Sequence, residues 1–333
     1  NFTSHFSLPC PLIGASSPLD DFGKRQPRAP ESVRPPSAGT GEISGLEPGA
    51  SADEVWAALC EEHPTPEELP NLARQEMESA LALLLERDLM TIEEPFRHAE
   101  AVITTGRTNQ TYPFGGYGGA LPDGERFVGR YLVSPPTDDM TAEQKAERLR
   151  GNNTYWTRVV AVHEIWPGHH LQGLVARSKA SPLRQRYFST VMSEGWGLYS
   201  EQLMYEQGHF DRKTRFAQLK MQAWRAARVV LDVMLQCGEI GFDEAVRYLV
   251  EEVGLTEENS RAEVRRYLGN PTRPLSYFLG FRQLMDTRAE VQAAEGDAFD
   301  LKSFHDRVLS YGTIPVVLIR YGLTGRGDLR SFL

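Results

Sequence analysis

The chain has 333 residues, 41% of them hydrophobic, and a formal net charge of -9. That is enough apolar material for one large domain or two smaller ones. The acidic balance gives no support to nucleic-acid binding, which needs a basic face, and no apolar run approaches the ~18 residues of a membrane-spanning helix. Cys10, Cys60 and Cys237 are too few and too scattered for a disulfide framework or a metal spacing.

Residues 1–50, with RQPRAPESVRPPSAGTGEISG among them, have no apolar period and are rich in Pro, Gly and Ser. They read as a linker or an extended segment, because they offer too little apolar surface to offset the entropy of ordering. Residues 51–333 read as a single helical domain. The start at Asn1 fits the C-terminal part of a longer protein, and it leaves compartment and leader open. From Ser51 the pattern becomes helical: SADEVWAALCEEH opens on a capping-type serine, and TPEELPNLARQEMESALALLLERDL opens on Pro66 and acidic residues. Residues 101–134 differ. Gly115, Gly116, Gly118 and Gly119 cluster before FVGRYLV, which reads as a strand with Gly129 inside it. Two readings stand for the glycine cluster: a β-hairpin, or an edge strand that pairs with an extended peptide through main-chain hydrogen bonds. It is not a dinucleotide fingerprint, since no strand–GxGxxG–helix context surrounds it. The rest, from TAEQKAERLR to DLKSFHDRVLSYGTIPVVLIRYG, is helical by period, so the fold class is mainly α with a small β element.

The chemistry concentrates in VVAVHEIWPGHHLQ and the following SEGWGLYSE. His163, Glu164, His169 and His170 fall within eight residues, on a helix made apolar by Val159, Val160, Val162 and Ile165. Neutral imidazoles and a carboxylate are the ligands of a catalytic zinc that leaves one position open, and a glutamate directly after the first histidine is where zinc peptidases carry a general base. The spacing is not HExxH. On an undistorted helix His169 points about 120° from His163, while His170 returns to the same face about 10.5 Å further on. Pro167 has no N–H for the His163 carbonyl, and Gly168 permits unusual dihedrals. A bulge over 166–168 therefore brings either histidine towards His163, and geometry leaves both open. Glu194 lies on an apolar helical face with Val191 and Leu198, where a carboxylate needs a cation. Glu201, two turns on, is placed to hold a ligand histidine's other ring N–H.

These two motifs resemble the bacterial family called domain of unknown function 885, whose pattern is HExxPGHHxQ followed by EGWxxYxE. The resemblance extends through LSYFLGFRQL and DLKSFHDRVLSYGTIPV, over about residues 50–325, and the arrangement is also similar to the gluzincin peptidases. It implies a gluzincin-like helical fold with a deep cleft. It also implies zinc held by His163, His169 and Glu194, with His169 favoured over His170. Late-chain oxyanion donors are implied too, for which Tyr277, His305, Arg282 and Tyr311 are the candidates. Arg130 and Arg282 are candidates to read a substrate carboxylate. The expected activity is a zinc-dependent peptidase on small peptides or derivatised amino acids, with Glu164 as base. The alternatives are a metal-dependent amide hydrolase of a biosynthetic pathway and a non-catalytic metal-binding module. Oligomeric state stays open.

Overall fold

The computed structural model describes residues 50–325; apart from Ala50, the extended segment expected over 1–50 lies outside the described residues. Ser51 caps α1 (Ala52–Cys60), exchanging hydrogen bonds with Glu54 so that two otherwise orphan N–H groups are satisfied. α2 (Leu69–Glu86) buries Leu69, Ala73, Met77, Ala80 and Leu84 along one face. It starts at Leu69 rather than Pro66, because Thr65 and Glu68 close a separate turn. After a 3₁₀ turn (Glu94–Phe96) come β1 (His98–Ile103), α3 (Gly106–Thr111), β2 (Gly116–Asp123) and β3 (Arg126–Val133).

The sheet order is β1-β3-β2, with β1 parallel to β3 and β2 antiparallel to it. The glycine cluster thus forms the expected hairpin, β2 pairing with β3, and β2 lies at one edge of the sheet. Its register slips between Tyr117 and Ala120, where Gly119 takes φ +81, a bulge conformation that glycine adopts without strain.

Helices then continue as α4 (Ala142–Gly151), α5 (Thr154–Glu164), α6 (His169–Lys179), the short α7 (Pro182–Gln185), α8 (Thr190–Glu206), α9 (Arg212–Gln236), α10 (Phe242–Glu251), α11 (Glu257–Gly269), α12 (Arg273–Glu295), α13 (Leu301–Ser310) and α14 (Val316–Thr324). The fold is mainly α, as the periodicity predicts. Two of these helices form its centre. α5 buries every residue from Tyr155 to His163 except Arg158, and α8 buries Met192 through Glu201 without interruption. Each fully buried aliphatic side chain on them contributes roughly 1.5–3 kcal/mol, and along these stretches only Arg158 is partly exposed. α8 crosses α12 at Gly195 and Gly280, where the backbones nearly touch. A Cβ on Gly195 would lie 2.4 Å from the Gly280 carbonyl carbon, and one on Gly280 would lie 1.9 Å from the Val191 oxygen. A smaller cluster of Val55, Leu59, Tyr155, Phe216 and Ala217 ties α1 and α9 to the start of α5. Among the described residues no helix is long and apolar enough to cross a membrane.

Candidate metal centre

The PGHH stretch does more than bulge: it ends one helix and starts another. α5 stops at Glu164 and α6 begins at His169. Pro167 has no N–H to continue the ladder, and the Gly168 N–H instead reaches back to the Val162 carbonyl at 3.1 Å. That fold-back requires glycine, because a Cβ at 168 would sit 1.7 Å from the His163 carbonyl oxygen. The break is pinned from outside by Trp196 Nε1, which donates to the Pro167 carbonyl at 2.9 Å, and by Gln172 Nε2, which donates to the Met192 carbonyl at 3.3 Å.

The result is a compact cluster. His163, His169 and Glu194 offer one ligand-type atom each, all within 4.8 Å of one another. Glu194 Oε2 lies 3.5 Å from His163 Nε2 and 3.3 Å from His169 Nε2. The two imidazoles stand perpendicular, 4.8 Å between centroids. The Glu164 carboxylate is 4.0 Å from His169 Nε2. Behind His163, Nδ1 meets Glu201 Oε1 at 2.7 Å, as the two-turn spacing predicts. Ser193 Oγ lies 3.5 Å from His169 Nδ1. Gly197 makes room for the His163 ring, since a Cβ there would come within 2.3 Å of Cε1.

Charge in this cluster is tightly held. Burial disfavours protonated His163, but the Glu194 and Glu201 carboxylates outweigh it and raise its pKa to about 10. Burial likewise pushes Glu194 up, but His163 and His169 hold it well below the usual carboxylate range. Three carboxylates around two imidazoles suit a cation: two nitrogens and one oxygen converge, and a further carboxylate fixes one ring from behind. The donor set therefore fits zinc.

One of the two adjacent histidines is excluded. His170, counted among the candidate ligands, turns away from the cluster, because successive helical residues diverge by about 100°. Its ring is fully buried, 4.7 Å from Trp166, with Nδ1 3.2 Å from the Tyr117 hydroxyl. A Cβ on Gly129 would lie 2.6 Å from Nδ1. The glycine inside β3 thus accommodates an imidazole of the same chain, not a substrate backbone. Burial drives His170 down to about 4.

Of the four late-chain candidates, Tyr277 stands beside the cluster. Its ring stacks on His163 at 6.5 Å, and burial, with Glu194 nearby, pushes its hydroxyl up to about 12. The others lie elsewhere. His305 is fully buried with both nitrogens engaged, Nδ1 with the Leu89 carbonyl at 2.7 Å and Nε2 with the Tyr199 hydroxyl at 2.8 Å, so neither is left for a substrate. Arg282 is five residues past Tyr277, about 140° around α12, and pairs at the surface with Asp286. Tyr311 packs against α14 at Gly322 with the Arg184 guanidinium 5.1 Å over its ring. Arg130 bonds the Gly118 carbonyl across the hairpin.

The sequence reading missed Arg273, whose Nη2 lies 3.6 Å from Glu194 Oε1. It precedes Tyr277 by one turn, so the same helical phase points to both. Arg228 was missed as well; it lies 4.9 Å over the Tyr277 ring and pairs with Glu263 at 3.1 Å.

Fold and site together define a mainly helical protein with a two-histidine, one-glutamate cluster built across a broken helix. The chain belongs to the family described as bacterial protein of unknown function (DUF885), which it matches over residues 40–322. It is similar to the crystal structure of a candidate lipoprotein from Colwellia psychrerythraea, with 25% identity and a TM-score of 0.73 over 92% of this chain and 50% of that one. It also matches the structure of a candidate lipoprotein of unknown function from Shewanella oneidensis, with 22% identity and a TM-score of 0.71 over 84% of this chain and 52% of that one. The chain therefore spans about half the length of these two proteins. No curated protein matches it.

Proposed function

We propose that the chain carries the centre of a zinc-dependent hydrolase of the gluzincin type, acting as a peptidase on amide bonds of small peptides. The observation that carries this reading is the convergence of His163, His169 and Glu194 within 4.8 Å, with a further carboxylate, Glu164, beside them and not needed as a ligand. A site that only stored a cation would have no use for that additional base. When bound, zinc would acidify a water and polarise a carbonyl. Glu164 takes the proton from the attacking water and delivers it to the leaving amine. Tyr277, kept protonated by its burial, donates to the oxygen that gains charge. Glu201 fixes the His163 ring so that Nε2 faces the cluster.

The test combines elemental analysis of the purified protein with digestion of a short-peptide library. One zinc per chain and cleavage that stops on adding a chelator support the proposal. A protein that binds no zinc sinks it.

A further inference from the structure

We infer that Arg273 reads the carboxylate of the leaving amino acid, so that the substrates are peptides or N-acyl amino acids with a free C-terminal carboxylate next to the scissile bond. This rests on the hydrolase reading above and narrows its substrate class.

Glu194 uses its two oxygens differently. Oε2 faces both histidines, while Oε1 faces Arg273 at 3.6 Å. The carboxylate is buried, but the Arg273 side chain is 56% exposed. Among the described residues Glu194 is its one ion-pair partner. A cation taken up by Glu194 competes with Arg273 for the same charge. The guanidinium then stands at the rim of the cluster without an anion, and its planar fork suits a carboxylate.

Its position is built. Thr272, just before it, sits at φ +69, a conformation that costs a β-branched residue energy and is kept where the surroundings enforce it. The enforcing group is Asp232 on α9. It is fully buried, accepts from the Leu275 N–H at 3.4 Å, and lies close enough to the Thr272 N–H for that dipole to stabilise its charge. Asp232 thereby anchors the start of α12 and aims Arg273 and Tyr277 at the same cluster. The other nearby cations are buried and use their terminal nitrogens or guanidinium faces elsewhere: Arg228 on Glu263 and the Tyr277 ring, and Arg225 on the Met221 carbonyl. Because Arg273 touches a residue of the cluster itself, the charge it reads lies within about one residue of the scissile carbonyl, given a reach of ~3.5 Å per residue. That places it on the leaving amino acid.

The experiment uses the zinc-loaded Glu164→Gln protein, which binds without turnover, titrated calorimetrically with acetyl-Ala-Ala and with its C-terminal amide. The acid is expected to bind at least ~10-fold tighter than the amide, as one charge-assisted, bidentate contact implies. Arg273→Ala in the same background should erase that preference without weakening zinc binding, and Arg273→Lys should keep part of it. Equal binding of acid and amide, or a preference that survives Arg273→Ala, overturns the inference and leaves the hydrolase reading standing. Failure of the wild-type chain to bind zinc removes both.

Discussion

His169 and His170 are neighbours in sequence and opposites in environment. His169 joins His163 in facing Glu194, and the carboxylates there raise His163 to about 10. His170 packs on Trp166, Tyr117 and Gly129 and falls to about 4. His305 lies in the second kind of setting, buried against Tyr199 and Trp196, and is also near 4. His163, His170 and His305 are all buried. What separates them is whether carboxylates line the pocket, since burial alone disfavours the charged ring and only opposite charge reverses it. A buried histidine is favoured in its charged form by its partners, and those partners sit on another helix.

Substitution should break this contrast most sharply at the cluster. His163→Ala is expected to remove zinc altogether, whereas His170→Gln should keep one zinc per chain and lose thermal stability instead; elemental analysis and thermal melts of the two variants tell them apart. Zinc lost equally from both would mean that His170 takes part in holding the cation. Glu164→Gln should retain zinc while cleavage falls by about 10³-fold, within the range for loss of a general base. A Gln variant with wild-type turnover would remove Glu164 from the mechanism.

The two settings also respond to pH with opposite sign. His305, depressed to about 4, stays neutral in the folded chain while the unfolded chain takes up a proton near 6.5. Stability is therefore lost as pH falls from about 6.5 to about 4, by roughly 3 kcal/mol at 1.36 kcal/mol per pKa unit. His170 adds a loss of the same sign over the same window. In the zinc-free protein His163, raised to about 10, contributes stability that is complete below 6.5 and fades as pH rises through about 10. Denaturant melts of zinc-free wild type and His305→Gln at pH 4.5 and 7 check this. The variant should show a shallower acid slope, and an unchanged slope would mean that His305 takes up its proton in the native state.

Much of this was legible in the residues. The helical periods located the core helices, and Pro167-Gly168 marked the interruption between the histidines. The EGWGLYSE stretch carried Glu194 and Glu201 at the right phase. Three things were not legible. The choice between His169 and His170 depends on how far the chain turns over four non-helical residues, which no period encodes. Gly129, Gly195 and Gly197 are there for atoms distant in sequence: the His170 ring, the Gly280 backbone and the His163 ring. His305 looked like a donor because its two partners, Leu89 and Tyr199, are more than a hundred residues away. Arg273 was within reach, being one turn before Tyr277 on a predicted helix.

The finest test of the contrast is Glu201, because it asks whether a partner behind the ring matters once a cation holds the front. Glu201 is 1% exposed and contributes both a negative charge and an acceptor 2.7 Å from His163 Nδ1. Glu201→Gln keeps an acceptor oxygen and so retains the ring orientation while removing the charge. Glu201→Ala removes both and leaves Nδ1–H buried without a partner. Loss of such an outer partner weakens metal binding by about 10–100-fold, so the Gln variant should fall near the lower bound and the Ala variant near the upper. Competition against a chromophoric chelator at fixed pH reads both. If Gln and Ala weaken zinc equally, orientation counts for nothing and only charge matters. If neither weakens it, Gly197 packing alone holds His163, and Gly197→Ala becomes the variant that should displace the ring.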